Sequence, residues 1–478
     1  MSSMQTAFRF RCYPSATQEQ TLLRWVGCQR FIYNAKVGED RYFRTFARKS
    51  LQHAGQFAPI DQQYSHFITE STRWLREVPS VVLRNAATRW KQAYSRYFSK
   101  LGGRPTIKKR DRSSSVWLTS ELFQFVPHTD AATGEITHRL LVGTKKFPLG
   151  EICFVADRDF KIPASITLSI KAGRWFVSGT CDDATVQPTF EETADWLQTF
   201  GQDELLQRTV GVDRGVAIPA MASNGVAFDI SDVQKARIAK KQSAAKRWQR
   251  KLSRRAKGSA NREKAKRRID RLRQYERDVR RDFAHKASHA IVNDPRAAMI
   301  VFEDLGVQRM TRRAKPKQDA SGRWMRNNAA AKSGLNAAIL ASSWGHIKQF
   351  SVYKALRAGK LCLDVSAHHT SQECAACGHS HPENRTTQAL FLCQRCGHQD
   401  NADANASKVI ARRGVDLVRS GQYRDKDRKR TMRLRSKQQL GPERSEVMPG
   451  ESRVSHGTGN GAALLTQNQE TPATTLCV

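Results

Sequence analysis

The chain opens on a strand-like alternation. In AFRFRCYP, Phe8, Phe10 and Cys12 alternate with Arg9 and Arg11, the period of a strand with one buried face. Pro14 ends it, and Thr17 with Gln20 has the spacing of a capping box for the next helix. Apolar positions then recur at helical spacing to about Lys100: Leu22, Leu23, Val26, Phe31 and Ile32, later Leu83, Ala87, Trp90, Tyr94 and Tyr97. The stretch LGGRPTIKKRDRSSS (101–115) reads as a Gly/Pro-broken basic loop. Beyond it SSVWL, HRLLVG, EICFVA and SITLSIKAGRWFVSGTC predict strands, with a hairpin at Lys171-Ala172-Gly173. A helical block thus interrupts a β-domain whose first strand is the N-terminal segment.

RTVGVDRGVAIPAMASNGVAFDI (208–230) begins a second pattern, two strand-like runs around the hairpin signal Ser223-Asn224-Gly225. Gly258 divides the next segment into two helices, the second with Ile269, Leu272, Val279, Phe283 and Ala287 on one face. AAMIVFEDLGV is a short buried strand. RRAKPKQDASGRWMRNNAAAKSG (312–334) is a polar loop, LNAAILASSWGHIKQFSVYKALRAG one helix, and KLCLDVSAHH another strand. From about Ser436 the periodicity is gone and the composition is that of a disordered tail. Strands alternating with helices predict an α/β region with a mixed sheet.

Charge changes the picture most. Lys and Arg number 81 against 44 Asp and Glu, a net +37 in 478 residues. Residues 235–286 alone hold 22 Lys/Arg against 5 Asp/Glu. A one-signed excess of that size points to a polyanion, most simply nucleic acid. No apolar span is long enough to cross a bilayer and no signal peptide is evident, so the expected compartment is the cytoplasm. Of ten cysteines, six are scattered; Cys374-x2-Cys377-x15-Cys393-x2-Cys396 gives two knuckles suited to a structural, tetrahedral Zn²⁺. Gly378 and Gly397 follow the second cysteine of each pair, where a tight knuckle needs a permissive backbone.

Three acids sit at element ends. Asp213 follows Val210-Gly211-Val212, Glu303 follows Met299-Ile300-Val301-Phe302, and Asp403 opens the helix DANASKVIARRG. Brought together, they would repel unless hard cations neutralised them, and carboxylate oxygens suit Mg²⁺ or Mn²⁺. Two such ions about 3.5–4 Å apart can activate water and stabilise a leaving oxygen. Alternation places Glu303 and Asp304 on opposite faces, which makes Asp304 a decoy; Asp400 is a second one.

GVDRG, IVFEDL, the four cysteines and DNADANAS occur in the order seen in TnpB proteins, which are insertion-sequence-encoded, RNA-guided DNA endonucleases related to type V CRISPR effectors. The resemblance extends to FRFRCYPSATQEQTLLRWVGCQRFIYN, WLREVPSVVLRNAATRWKQAYSRYF and LSRRAKGSANREKAKRRI, and covers roughly residues 5–415. It implies an α/β plus β and α architecture: a first wedge strand (1–12), a helical recognition lobe (13–100), the rest of a β-barrel-like wedge domain (101–205), and an RNase H-like RuvC nuclease domain (206–370) carrying the basic helical hairpin 235–286. A zinc ribbon (371–398), the end of the nuclease domain (399–418) and a basic, then disordered tail (419–478) follow.

The same resemblance makes Asp213, Glu303 and Asp403 the catalytic, Mg²⁺- or Mn²⁺-binding carboxylates. The partners it implies are a guide RNA and double-stranded target DNA. Arg104, Lys108, Lys109 and Arg110 in the basic loop, and Arg254, Arg255 and Lys257 in LSRRAKG, are expected phosphate contacts, with Trp248 and Tyr275 for stacking or packing. Ser80 and Arg84 match the positions that contact the short DNA motif beside the target. The competing readings are a catalytically silent guide-directed repressor and a DNA transposase with a similar acidic triad, since fold does not fix function.

Overall fold

The alternation of the N-terminal strand is realised at the centre of a sheet. In the computed structural model, which describes residues 4–55, 59–109, 113–129, 136–183, 187–387 and 389–423, two compact units divide at residues 184/185. Arg110 and the tail beyond residue 423 lie outside the described residues.

In the first unit β1 (Met4–Tyr13) leads into α1 (Ala16–Tyr42), the short α2 (Arg48–His53) and α3 (Ser80–Phe98). Six strands follow: β2 (Ser113–Thr119), β3 (Phe123–Thr129), β4 (Ile136–Gly143), β5 (Pro148–Val155), β6 (Ser165–Lys171) and β7 (Arg174–Asp183). They form one antiparallel sheet in the order β2-β6-β7-β1-β5-β4-β3. Its two end strands are joined by only Ser120–Leu122, so the sheet must curl to bring its edges together. Phe8, Phe10 and Cys12 are buried, packed with Leu22 and Trp25 of α1 and Val82 and Leu83 of α3. The first helix is capped differently from expectation. Ser15 accepts from the Gln18 amide (3.3 Å) and the Gln18 side chain accepts from the Ser15 amide (2.9 Å). Both Ser-x-x-Gln and Thr-x-x-Gln fit the pattern, and the helix starts at the first opportunity after Pro14.

The second unit begins with α4 (Phe190–Gln198) and α5 (Gln202–Gln207), which sequence grouped with the β-domain. Then come β8 (Thr209–Asp213), β9 (Ala220–Ala222), β10 (Ala227–Phe228), the long helices α6 (Asp232–Ser253) and α7 (Ala260–Val292), and β11 (Met299–Glu303). After α8 (Val307–Met310) a small hairpin, β12 (Lys317–Gln318) with β13 (Trp324–Met325), leads to α9 (Ala329–Ala341) and α10 (Trp344–Arg357). The expected single helix is therefore two, broken where Ser343 turns left-handed (φ 60°), and its first half starts inside the expected polar loop. The unit ends with β14 (Leu361–Val365), β15 (Leu390–Leu392), β16 (Gln399–Asn401) and α11 (Ala402–Arg419).

The sheet order is β10-β9-β8-β11-β14, with β8, β11 and β14 parallel. Strand alternation sorts its side chains between two helical layers. Val210, Val212, Ile300 and Phe302 pack with Phe283, Ala287 and Ile291 of α7 and Ile347 and Phe350 of α10. Met299, Val301, Leu361 and Leu363 face the other way, onto Ile410, Val415 and Val418 of α11. No helix of the described residues is long and apolar enough to cross a membrane.

Candidate functional site

The period of 2 that sends Val210 and Val212 towards α7 sends Gly211 and Asp213 towards α11, and Glu303 follows Met299 and Val301 to that same side. In the parallel register Val212 faces Phe302, so Asp213 and Glu303 end neighbouring strands at the same level. This is the carboxyl edge of the sheet, where open α/β folds place their sites. Two glycines let α11 reach that edge. A Cβ at Gly211 would stand 2.1 Å from the Ser407 carbonyl oxygen, and one at Gly414 2.3 Å from Val301 Cγ2. Helix backbone thus lies directly on strand, with its N-terminus at the strand ends. There Asn401 caps it, accepting from the amides of Asp403 (3.0 Å) and Ala404 (3.2 Å). The Asp403 carboxylate lies over the turn after Asp213, with Oδ2 3.7 Å from where a Gly215 Cβ would be.

The three acids feel one another. Burial, then the charges of Glu303 and Asp403, push Asp213 up to about 7, and burial raises both Glu303 and Asp403 above the ordinary carboxylate range. They are not clenched: among the described residues only the four cysteines gather three or more ligand atoms within 4.8 Å. A set of hard oxygen donors, one buried and two partly buried, suits divalent cations.

Several partners of these acids were not legible in the sequence. The buried Thr370 hydroxyl donates to Glu303 Oε1, and Arg214 donates to the Glu303 backbone carbonyl. Arg385 Nη2 lies 3.4 Å from Asp403 Oδ1, and Trp344 Nε1 donates to the Gly215 carbonyl (2.8 Å). Thr370 stands four residues before Cys374, and Arg385 is the one Lys or Arg between the two knuckles, which are the only signals either gave. The decoys are accounted for. Asp304 is exposed, and Asp400 pairs with Lys408 at 2.8 Å.

The Asp213 shift has a measurable consequence. Unfolded, the group titrates near its ordinary 3.8; folded, near 7. Between those values the folded chain holds a proton that the unfolded chain has released, so stability falls as pH rises through that window, and the group's contribution to the loss is complete above it. The loss is about 4 kcal/mol, at about 1.4 kcal/mol per tenfold change in proton affinity. In chelator, Asp213→Asn is expected to melt above wild type at pH 8, by a margin that shrinks steadily towards pH 4. A margin independent of pH in thermal melts would remove Asp213 from the charged cluster.

The cysteines converge. Sγ–Sγ separations are 3.7 Å for Cys374–Cys396 and 3.6 Å for Cys377–Cys393, far beyond a disulfide bond and close to the edge of a tetrahedron with Zn–S of about 2.3 Å. Each knuckle repeats one backbone pattern. The amides of Gly378 and Gly397 donate to the carbonyls of Cys374 (2.9 Å) and Cys393 (3.0 Å), and both glycines are left-handed (φ 74° and 70°).

Of the candidate nucleic-acid contacts, Ser80, Lys109, Arg254 and Lys257 are exposed. Arg84 is exposed and paired with Glu121. Arg104 donates to the Tyr97 hydroxyl (3.0 Å), and the Lys108 ammonium lies 3.6 Å from the Tyr33 ring centroid. Arg255 braces the turn between α6 and α7 by donating to the Asn261 carbonyl. Lys251 sits over Trp248 and Lys241 over Tyr275, so both rings pack against cations of their own hairpin.

Three family models match parts of the chain. A family model described as "Probable transposase" matches residues 200–314, "Cas12f1-like, TNB domain" matches 344–410, and "Helix-turn-helix domain" matches 1–37. The chain is 31% identical over 424 residues to a protein of Escherichia coli (strain K12) named RNA-guided DNA endonuclease InsQ, covering 87% of this chain and 94% of that one. It is 28% identical over 422 residues to an RNA-guided DNA endonuclease of Streptomyces pristinaespiralis, covering 87% and 90%. Among solved structures, a Cas12f1–sgRNA–target DNA complex aligns over 86% of this chain and 99% of that one, at 15% identity and a TM-score of 0.30.

Proposed function

The chain belongs to the TnpB family, and from that membership we propose that it is an RNA-guided DNA endonuclease of an insertion sequence, cutting guide-matched DNA beside a short adjacent motif. The second unit serves as an RNase H-like RuvC domain with an inserted zinc ribbon, and the first supplies wedge and recognition elements. The observation that carries the reading is the placement of Asp213 and Glu303 at the carboxyl ends of neighbouring parallel strands, with Asp403 on the helix N-terminus over the turn after Asp213.

Asp213, Glu303 and Asp403 would hold two Mg²⁺ or Mn²⁺ ions, and Cys374, Cys377, Cys393 and Cys396 a structural Zn²⁺. Bound divalent ions supply water activation and charge neutralisation for phosphodiester hydrolysis. The chain's own residues do the rest. Thr370 fixes the rotamer of Glu303 by its hydrogen bond, and Arg214 anchors the backbone beneath it. Arg385 offsets part of the charge on Asp403. Four cysteines leave the zinc no open position, so it carries no chemistry.

The test is to purify the chain with the RNA that accompanies it, sequence that RNA, and challenge the complex with plasmids carrying matched or scrambled targets in Mg²⁺. Linearisation of the matched plasmid alone is expected. Binding without cutting would identify the silent repressor, and joined rather than cut ends the transposase.

A further inference from the structure

One cavity in the first unit joins two residues of the basic loop, Lys108 and Lys109, to two cations that the sequence did not single out, Arg30 and Arg89. It has a volume of about 290 Å³ and is walled by Arg30, Arg89, Lys108 and Lys109, with Ser114 and Ser115 on the β2 side. Four cations share it, and no carboxylate of the described residues pairs with any of them. Elsewhere in this unit cations are matched with acids: Lys36 with Glu39 (2.5 Å) and Asp61 (2.8 Å), Arg44 with Asp40 (2.8 Å), and Arg84 with Glu121.

Two of these cations, Lys108 and Arg89, are also held in place. Asn34 grips the Lys108 backbone from both sides, donating to its carbonyl (2.9 Å) and accepting from its amide (2.8 Å), which puts the ammonium over Tyr33. Arg89 lies 5.1 Å from the Trp117 ring centroid and donates to Thr167 Oγ1 (3.3 Å). Gln29 pins Trp117 in turn, donating to its carbonyl (2.7 Å) and accepting from its amide (3.1 Å). Clustering cations where water is scarce disfavours their charge. Burial lowers Arg89, and burial with the charge of Arg89 lowers Lys108 to about 8. An anion would reverse both effects. The two aromatic rings already carry cations on their faces, so the cavity offers little to a stacked base and much to a phosphate.

We propose that this cavity, walled by Arg30, Arg89, Lys108 and Lys109, seats a backbone phosphodiester group of the bound nucleic acid. The choice of nucleic acid as its source rests on the family reading above; the anion site itself does not. Phosphate contacts fix register without reading sequence, so the cavity sets where a strand enters the unit.

Arg89→Gln and the rim variant Lys109→Gln, in the full chain, test it on three arms. Inorganic pyrophosphate should raise the melting temperature of wild type and raise that of Arg89→Gln less. Affinity for guide RNA, and of the RNA-loaded protein for target DNA, should be measured from 50 to 300 mM salt. Each lost contact lowers the slope of log K against log salt by about 0.7 for a single strand or about 0.9 for duplex DNA. A lowered slope in the RNA arm assigns the guide, and in the DNA arm the target. Pyrophosphate protection with unchanged slopes in both variants overturns the nucleic-acid source. No protection and unchanged slopes overturn the site altogether. None of these readouts depends on cleavage, so a chain that binds but does not cut would sink the nuclease reading and leave the cavity standing.

Discussion

Asp213→Asn and Glu303→Gln should each lower guide-directed DNA cleavage by about a thousandfold or more, with guide RNA binding unchanged. Each change removes a charge from a set that shares its cations, and loss of several kcal/mol of transition-state charge stabilisation is the expected cost. At about 1.4 kcal/mol per decade that is about three decades in rate. Neither substitution alters shape, so the parallel register of Val212 with Phe302 and the seat of α11 on Gly211 should survive. Asp213→Asn carries its own folding control, since the metal-free variant should be the more stable protein above pH 7. A variant that cuts less because it is unfolded would melt lower, not higher. Single-turnover cleavage of a guide-matched plasmid, run beside an RNA-retention assay, checks the prediction; either variant cutting at the wild-type rate would falsify the assignment of these acids. Asp304→Asn is the matched control, because that exposed side chain belongs to the opposite face of the same strand end.

What the sequence made legible follows from how local the signals are. Phe8, Phe10 and Cys12 declared a strand because burial on one face writes a period of 2 directly into the chain. Asp213 and Glu303 stood out because each ends a run of buried strand residues, and the cysteines because knuckle spacing is dictated by the tetrahedron they must form. Partners that meet only through tertiary approach left no such trace. Thr370 reaches Glu303 across 67 residues, and Arg84 finds Glu121 across 37. Charge alone could not tell Arg255, which closes its own turn, from Lys257, which is exposed. Nor could periodicity find the break at Ser343, where a serine adopts the left-handed backbone that glycine would have announced. Gly211 read as one small residue in an apolar run; its reason is the Ser407 carbonyl of a helix almost two hundred residues later.

Those long-range contacts make the zinc site the second place where one substitution should have a large effect. Cys374→Ser, or prolonged chelation, is expected to abolish stoichiometric zinc and to lower cleavage by about a hundredfold or more, although no cysteine touches an acid of the triad. The path is structural. Glu373, next to Cys374, accepts from Arg412 and Arg413 of α11. Arg412 donates to the carbonyls of Cys374 (3.3 Å) and Ala375 (3.1 Å), and Arg413 to those of Ser366 and His368 (2.8 Å each). Fully buried Asn405, two residues after Asp403, donates to the Glu373 carbonyl (2.7 Å) and accepts from the Ala375 amide (2.9 Å). The first knuckle is thus riveted to the helix that presents Asp403, and the loop it closes carries Thr370 to Glu303, while the link between knuckles carries Arg385 to Asp403. Structural zinc contributes about 10–16 kcal/mol to folding its ligand loops, far more than these hydrogen bonds at about 1–3 kcal/mol each. Without the metal the loops open and both acids lose their orienting partners at once. Zinc content by elemental analysis and cleavage rate should fall together in Cys374→Ser and stay together in Cys362→Ser, a cysteine of β14 outside the cluster. Full cleavage by a zinc-free protein would break the link between the clip and the acids.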